Sequence, residues 1–401
     1  MTDAGAGGGG RAAAGAESAS IASILRTRRV VVCCGTGGVG KTTTAAALAI
    51  QGARDGRHAV VVTIDPAKRL AQTLGLEQLS NTAHEIDRTL WDVDDTAVAG
   101  GRLHALMLDA ESTFDDLVRQ YAHDEDQASR ILGNGFYRNI AGSLSGTQEY
   151  MAMEKLYELH ATGSFDLIVV DTPPTRHALD FLDAPRRLTR LLDNRIFRLL
   201  MTPARAGFRV GTVAAQAFLR TIARVVGTEV IDDVLAFFRA FEGMEEGFRT
   251  RANEMLALLG SDESAFVLVT SPRHDAVVEA TYFADRLAEG SLAVEALVVN
   301  RVHPRYPGAR PDVLRARADQ LLVVDGEDVG EVASNLDRGA ALALAAQYEN
   351  LADLEELAIR EERELRGLEQ RIGTVAVAHV PELAHDVHDF DALRAVAHHL
   401  V

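Results

Sequence analysis

The sequence predicts an α/β fold, a mostly parallel sheet flanked by helices with an inserted helical subdomain, and three observations carry that prediction. A glycine-rich stretch, Gly35 to Thr42, lies between an apolar run (Val30 to Cys34) and an alanine-rich helical pattern (Thr43 to Ile50). Further short apolar or β-branched runs recur along the chain, and helical patterns separate most of them. Buried strands that alternate with helices imply a parallel sheet covered on both faces. Several of these runs also end in a polar residue, and ligands of such sheets sit beyond the carboxyl ends of the strands.

The elements follow in order. Residues 1–22 are rich in Gly, Ala and Ser, with little to bury, and read as a disordered leader without the apolar region of a secretory signal. Val30 to Cys34 is the first strand. Ala59 to Ile64 is the second and runs into Asp65-Pro66. Leu103 to Met107 and Leu167 to Val170 follow, the latter ending in Asp171-Thr172-Pro173-Pro174. Phe266 to Thr270, Leu297 to Asn300 and Val375 to Ala378 complete the set. Residues 185–259 interrupt the alternation as a helical stretch broken around Pro203 to Gly211, and are assigned to the inserted subdomain. The core is then 23–184 and 260–401. Within it, Arg338 to Ile372 reads as one continuous helix, with Leu344, Leu351, Leu354, Ala358, Leu365, Leu368 and Ile372 at most heptad a and d places. An intramolecular hairpin or edge helix is the default reading there, and a dimerising coiled coil the alternative.

Gly35 to Thr42 satisfies G-x-x-x-x-G-K-[ST], the phosphate-binding loop of P-loop nucleoside triphosphatases, with a strand before it and a helix after it. Backbone N–H groups of Gly37, Gly38, Val39 and Gly40 would turn inward around phosphates, and the helix start at Lys41, Thr42 and Thr43 adds a field that favours anions. Lys41 would reach the β- and γ-phosphates of ATP, and the Thr42 hydroxyl would join a Mg²⁺ ion. Asp171, at a strand end, suits Mg²⁺ ligation. Asp65, also at a strand end, suits orientation of an attacking water. The competing reading for each acid is a cap on the next helix.

Bulk properties restrict the partners. The net charge of −17, from 41 basic and 58 acidic residues, argues against general nucleic-acid binding. No apolar stretch reaches the ~20 residues that span a bilayer. Cys33 and Cys34 are the only cysteines; they are strand neighbours that point to opposite faces, so they read as buried apolar side chains of a reducing cytoplasm. Pro185 to Val226 reverses the overall charge: Arg186, Arg187, Arg190, Arg195, Arg198, Arg205, Arg209, Arg220 and Arg224 stand against one acid, Asp193.

Three ordered motifs resemble those of the arsenite-transport ATPase (ArsA) family, which includes the eukaryotic ATPases that target tail-anchored membrane proteins. They are the glycine loop, Thr63-Ile64-Asp65-Pro66-Ala67, and Asp171-Thr172-Pro173-Pro174-Thr175-Arg176-His177. Cys33 to Thr44 and Gly146 to Leu156 are similar in wording to the actinobacterial ArsA-like subgroup. The resemblance runs from about Arg28 to the C-terminus. It implies ATP and Mg²⁺ as cofactors, with Lys41 and Thr42 on phosphate and metal, Asp65 polarising the water and Asp171 completing the metal shell. It also implies that Asn300 reads the adenine amino edge and that Pro381 lines the base; for Asn300, hydrogen bonding to backbone alone is the competing reading.

Two departures qualify the resemblance. Relatives of this type carry a signature lysine at the place of Thr36 that reaches across a dimer, and threonine brings no charge. Loss of such a cation lowers hydrolysis by on the order of 10³–10⁵ where arginine fingers are concerned. A lysine-bearing paralogue in a heterodimer, Lys68 or Arg69 in cis, or very slow hydrolysis are the three accounts. The C-x-x-C pairs that clamp targeting ATPases with zinc are also missing, as are the dispersed cysteines of a metalloid site, so neither zinc nor thiolate-bound metalloid is expected.

The expected function is a nucleotide-switched ATPase dimer, homo- or heteromeric, coupled to a helical subdomain that binds a client or partner. The segment 185–226, with Phe197, Leu200, Phe208 and Phe218, is the candidate surface for a hydrophobic helix or a membrane-associated partner, against the plainer reading of a helical lid. The expected location is cytoplasmic, with peripheral membrane association through that segment. The alternatives are a non-catalytic ATP-binding subunit, which the Thr36 replacement favours, and a MinD/ParA-type positioning ATPase. The latter calls for a basic C-terminal membrane helix or a DNA-binding surface, and Asp391 to Val401 carries too little positive charge for a strong anchor.

Overall fold

The computed structural model describes residues 20–64, 70–71, 74, 79–135, 137–138, 147–173, 178–193, 228–322 and 337–401. Eight strands form one sheet: β1 (Val30–Gly35), β2 (His58–Thr63), β3 (His84–Glu85), β4 (Arg102–Met107), β5 (Leu167–Asp171), β6 (Ser264–Thr270), β7 (Val294–Val302) and β8 (Ala376–Pro381). Their spatial order is β3-β4-β2-β5-β1-β6-β7-β8. All the pairings are parallel except that of β3 with β4. The seven runs expected as strands are all present. The edge strand β3 was not expected, because two polar residues carry no periodicity.

The helices among the described residues are α1 (Ile21–Thr27), α2 (Lys41–Arg54), α3 (Arg88–Trp91), α4 (Ala110–Tyr121), α5 (Glu125–Leu132), α6 (Thr147–Thr162), α7 (Ala178–Asp193), α8 (Thr228–Phe241), α9 (Glu245–Leu259), α10 (His274–Glu289), α11 (Pro311–Leu322), α12 (Arg338–Ile372) and α13 (Phe390–Leu400). Strand alternation sorts the core into two layers. Val30, Val32 and Cys34 face one cluster with Met255, Phe283 and Leu365. Val31 and Cys33 face the other with Leu48, Trp91 and Leu393. The two cysteines therefore lie on opposite faces, as strand geometry requires. Burial pushes both thiols up, Cys34 to about 12, so neither is available as a thiolate.

Three expectations change in detail. The leader was expected to run through residue 22, yet the Ser20 hydroxyl caps α1 and Ile21, Ile24 and Leu25 are buried, so residues 20–22 belong to a packed helix. Residues 1–19 lie outside the described part. The helical stretch expected from Pro185 begins at Ala178, with Pro185 inside α7. Residues 194–227, which hold most of the arginines and Phe197, Leu200, Phe208 and Phe218, lie outside the described part. The described end of the stretch, α9, shares the sheet's own core through Ala252, Met255, Leu258 and Leu259.

The continuous helix expected from Arg338 to Ile372 has those limits and rises about 52 Å. It packs intramolecularly against α11, with Ala318 and Leu321 meeting Ala345. The heptad assignment is corrected in one place: Leu354 is 42% exposed, and the buried neighbour is Glu355. The C-terminal helix α13 buries Phe390, Leu393, Val396, Ala397 and Leu400 in the layer that holds α2, so its apolar face is already covered. No helix among the described residues is long and apolar enough to cross a membrane.

His104 on β4 offers a pH test of this packing. Its ring meets Phe165 edge-on at 5.1 Å, and burial pushes its pKa below the usual 6.5. A depressed histidine is neutral in the native state, while the unfolded chain takes up the proton first. Its contribution is therefore complete above pH 6.5 and lost as pH falls through the folded value. Urea unfolding at about pH 7 and about pH 5.5 should show wild type losing more stability on acidification than His104→Leu, and equal losses would contradict the assignment.

Candidate nucleotide-binding site

The glycine loop leaves the carboxyl end of β1, between β5 and β6 at the centre of the sheet, and runs directly into α2. Gly38 and Gly40 have φ of 80° and 95°, a left-handed region that disfavours other residues. Gly40 has a second constraint, because a Cβ there would stand 2.2 Å from Asn300 Nδ2. It is also the N-cap of α2 and supplies no side-chain cap, whereas Ser20, Asp87, Asp109, Asp124, Asp337 and Asp389 each cap their own helices. The start of α2 therefore carries no capping side chain at the helix end that favours anions.

Lys41 and Thr42 follow at the start of α2. Lys41 is 5% exposed, and its Nζ donates to the Thr36 carbonyl at 2.6 Å, so the ammonium folds back over the loop. The Thr36 hydroxyl turns to the Gly37 carbonyl at 3.2 Å. Thr42 Oγ1 donates to Asp171 Oδ2 at 2.7 Å. Asp171 ends β5 and is fully buried, and its Oδ2 also accepts from Thr63 Oγ1 at 3.1 Å. A hydroxyl and a carboxylate oxygen this close, at the foot of a glycine loop, form the hard oxygen set that suits Mg²⁺. Lys41, a helix start without a capping side chain and this oxygen pair together fit a magnesium–triphosphate group.

The expected residues distribute as follows. The structure gathers Gly37, Gly38, Val39, Gly40, Lys41, Thr42, Thr43 and Asp171 at the ends of β1 and β5. Asn300 joins them from β7: its Nδ2 donates to the Val39 carbonyl at 2.8 Å, and its Oδ1 accepts the Arg301 N–H at 3.0 Å. Both bonds go to backbone. Pro381 ends the neighbouring strand and pairs with Val302, one strand further from the loop. Asp65, Lys68, Arg69 and the Pro174 to His177 switch lie outside the described residues.

Sequence reasoning missed three contributors. Thr63 shares the Asp171 carboxylate, and its place two residues before Asp65 was a usable signal. Thr172 Oγ1 donates to the Cys33 carbonyl at 2.8 Å, tying the start of the second switch to β1. Gln148 Nε2 donates to the Ile64 carbonyl at 3.1 Å, a contact that no local pattern announces.

Fold and loop together define a P-loop nucleoside-triphosphatase architecture. The family model for anion-transporting ATPases matches residues 28–324, and the chain belongs to that family. It is also similar to the ATPase get3 of Aspergillus terreus, 26% identical over 284 residues that cover 71% of this chain and 76% of that protein. Similarity to the ATPase GET3 of Paracoccidioides lutzii is 31% over 159 residues, covering 39% of this chain and 43% of that one.

The Gly40 geometry generates a direct test. Gly40→Ala forces a left-handed alanine into Asn300 and should weaken Mg·ATP binding by at least about tenfold in calorimetry, which is about 1.4 kcal/mol. Unchanged affinity would show that the loop does not need this shape.

Proposed function

We propose that this protein is a magnesium-dependent ATPase that couples its nucleotide cycle to movement of its helical elements. The observation that carries the proposal is the 2.7 Å contact between Thr42 and Asp171 beneath the glycine loop. Thr42 and Asp171 would hold Mg²⁺, which would supply positive charge against the phosphate oxygens. Lys41 would leave the Thr36 carbonyl for the β- and γ-phosphates, and the loop N–H groups would orient them. Asp65 would polarise the attacking water, and the segments after Thr63 and Asp171 would act as the two switches. Such strand-end segments commonly change order with the γ-phosphate.

The active unit in this reading is a dimer, and Thr36 bears on its composition. Threonine cannot place a cation on a partner's nucleotide, and its hydroxyl donates to the adjoining Gly37 carbonyl. A heterodimer with a lysine-bearing paralogue meets the need while leaving the remaining loop intact. The same residue supports the second reading, a subunit that binds ATP without turning it over. A client helix or membrane-associated partner at residues 185–226 and a cytoplasmic location remain parts of the proposal, by analogy with the resembling family.

Calorimetry with Mg·ATP should give heat that chelation of the metal by EDTA lowers by at least about tenfold. Asp171→Asn should depress single-turnover hydrolysis more than it depresses binding. Hydrolysis by the chain alone should be slow and should rise on addition of the paralogue. Brisk turnover alone that disappears in Lys68→Ala would sink the heterodimer and place the cation in cis. Binding without hydrolysis in every combination would select the non-catalytic reading.

A further inference from the structure

The segment that leaves β7 is tied at both ends. At its start, Asn300 holds the Val39 carbonyl of the glycine loop and the Arg301 N–H together through one carboxamide. Arg301 itself has a φ of 62°, and the register of β7 against β8 shifts between Asn300 and Val302. A left-handed arginine persists only where its surroundings over-determine it. Arg301 is held by its N–H bond to Asn300 and by the approach of its Nε to Glu382 at 3.9 Å, and the far end of the same segment is fastened to α12.

Three residues make that fastening. The His303 N–H donates to Glu361 Oε2 at 2.9 Å, and its Nδ1 lies 2.8 Å from Glu361 Oε1. Arg305 reaches Glu355 through Nε and Glu362 through Nη1, at 2.8 Å each. The Tyr306 N–H donates to the second oxygen of Glu355. The Glu355 side chain is fully buried, and that of Glu361 is 12% exposed. A helix that only had to dock could present leucine at these places, because buried carboxylates are expensive unless every partner is in position. Here the acids fix the path of 303–306.

We propose that Glu355 and Glu361 are positioning residues for the phosphate loop, acting through residues 303–306 and Asn300 on the Val39 carbonyl. The peptide unit is planar and trans, so pinning that carbonyl sets the direction of the Gly40 N–H, one of the donors offered to phosphate. The coupling is reciprocal: a nucleotide that orders the loop tightens the clamp on α12. The helix α12 is then the element that reports nucleotide occupancy, and α11 rides on it through Arg315, which meets Asp353 at 2.8 Å and also Glu356.

This inference rests on the proposal that the loop binds ATP, and calorimetry with Mg·ATP separates the two. Wild type should give heat; none would overturn the ATP reading and this inference with it. With wild-type binding established, Glu361→Gln and Glu355→Gln should each weaken affinity by about five- to tenfold. Asn300→Ala should also weaken it, and Asn300→Ala combined with Glu361→Gln should be no weaker than Asn300→Ala alone, because the connection is already cut. Arg315→Gln, which loosens the hairpin without touching the clamp, should leave affinity unchanged. Amide exchange at His303 and Tyr306 should slow on adding Mg·ATP in wild type and not in Asn300→Ala. Urea midpoints identify any variant that fails to fold, and Glu361, at the less buried of the two places, keeps the test open if Glu355→Gln does. Fully additive losses, unchanged affinity in folded Glu361→Gln, or a loss in Arg315→Gln equal to that in Glu361→Gln would overturn the positioning role.

Discussion

The buried carboxylate of Asp171 is the constraint around which the centre of this molecule is arranged. A carboxylate at the end of an interior strand is costly unless it is hydrogen bonded. Its Oδ2 is met by Thr42 from the start of α2 and by Thr63 from the end of β2. Those two hydroxyls bind three neighbouring elements together at the carboxyl edge of the sheet. They also bring the glycine loop over Asp171, the acid that in the proposed reading shares a magnesium ion with Thr42. The same atoms that hydrogen bond Asp171 Oδ2 supply the oxygen set of the proposed metal site.

Around that centre the design is asymmetric. On the β5 side, the loop is held by hydroxyl and carboxylate groups that a metal could rearrange. On the β7 side, it is held by a carboxamide bonded to backbone, and behind that by the buried Glu355 and the partly buried Glu361. The first set is suited to change when a ligand arrives, since the exchange of one oxygen partner for another is cheap. The second set is suited to keep its shape and pass displacement outward. In the proposed reading, this division makes one short loop both responsive and connected to a helix about 52 Å long.

The sheet was legible in the sequence because its interior strands are covered on both faces. Val30 to Cys34 and Leu167 to Val170 are continuous apolar runs, and nothing but a buried parallel strand suits them between glycines and helices. The short antiparallel strand at His84–Glu85 was not legible, since its two exposed polar residues are ordered by their β4 neighbours and not by any preference of their own. Leu354 and Glu355 exchanged their expected places for a related reason. A heptad count assumes an apolar partner, and the partner here is Arg305 with a backbone N–H. Likewise the start of α7 at Ala178 and the capped α1 depend on packing that composition does not record.

The sequence by itself determined the kind of site: a glycine loop between strand and helix, a lysine and a threonine at the helix start, and an acid closing a later strand. Backbone sterics and phosphate chemistry leave that local pattern little other use. Only the tertiary structure decided that Thr63 shares the Asp171 carboxylate, that Asn300 grips the carbonyl of Val39, and that Glu355 and Glu361 of α12 stand behind it. Those contacts join residues more than fifty positions apart in several cases, for example the 261-residue separation of Asn300 from Val39. No local preference of the chain encodes such a meeting; it arises when the strands stack in their particular order and carry their ends to one edge.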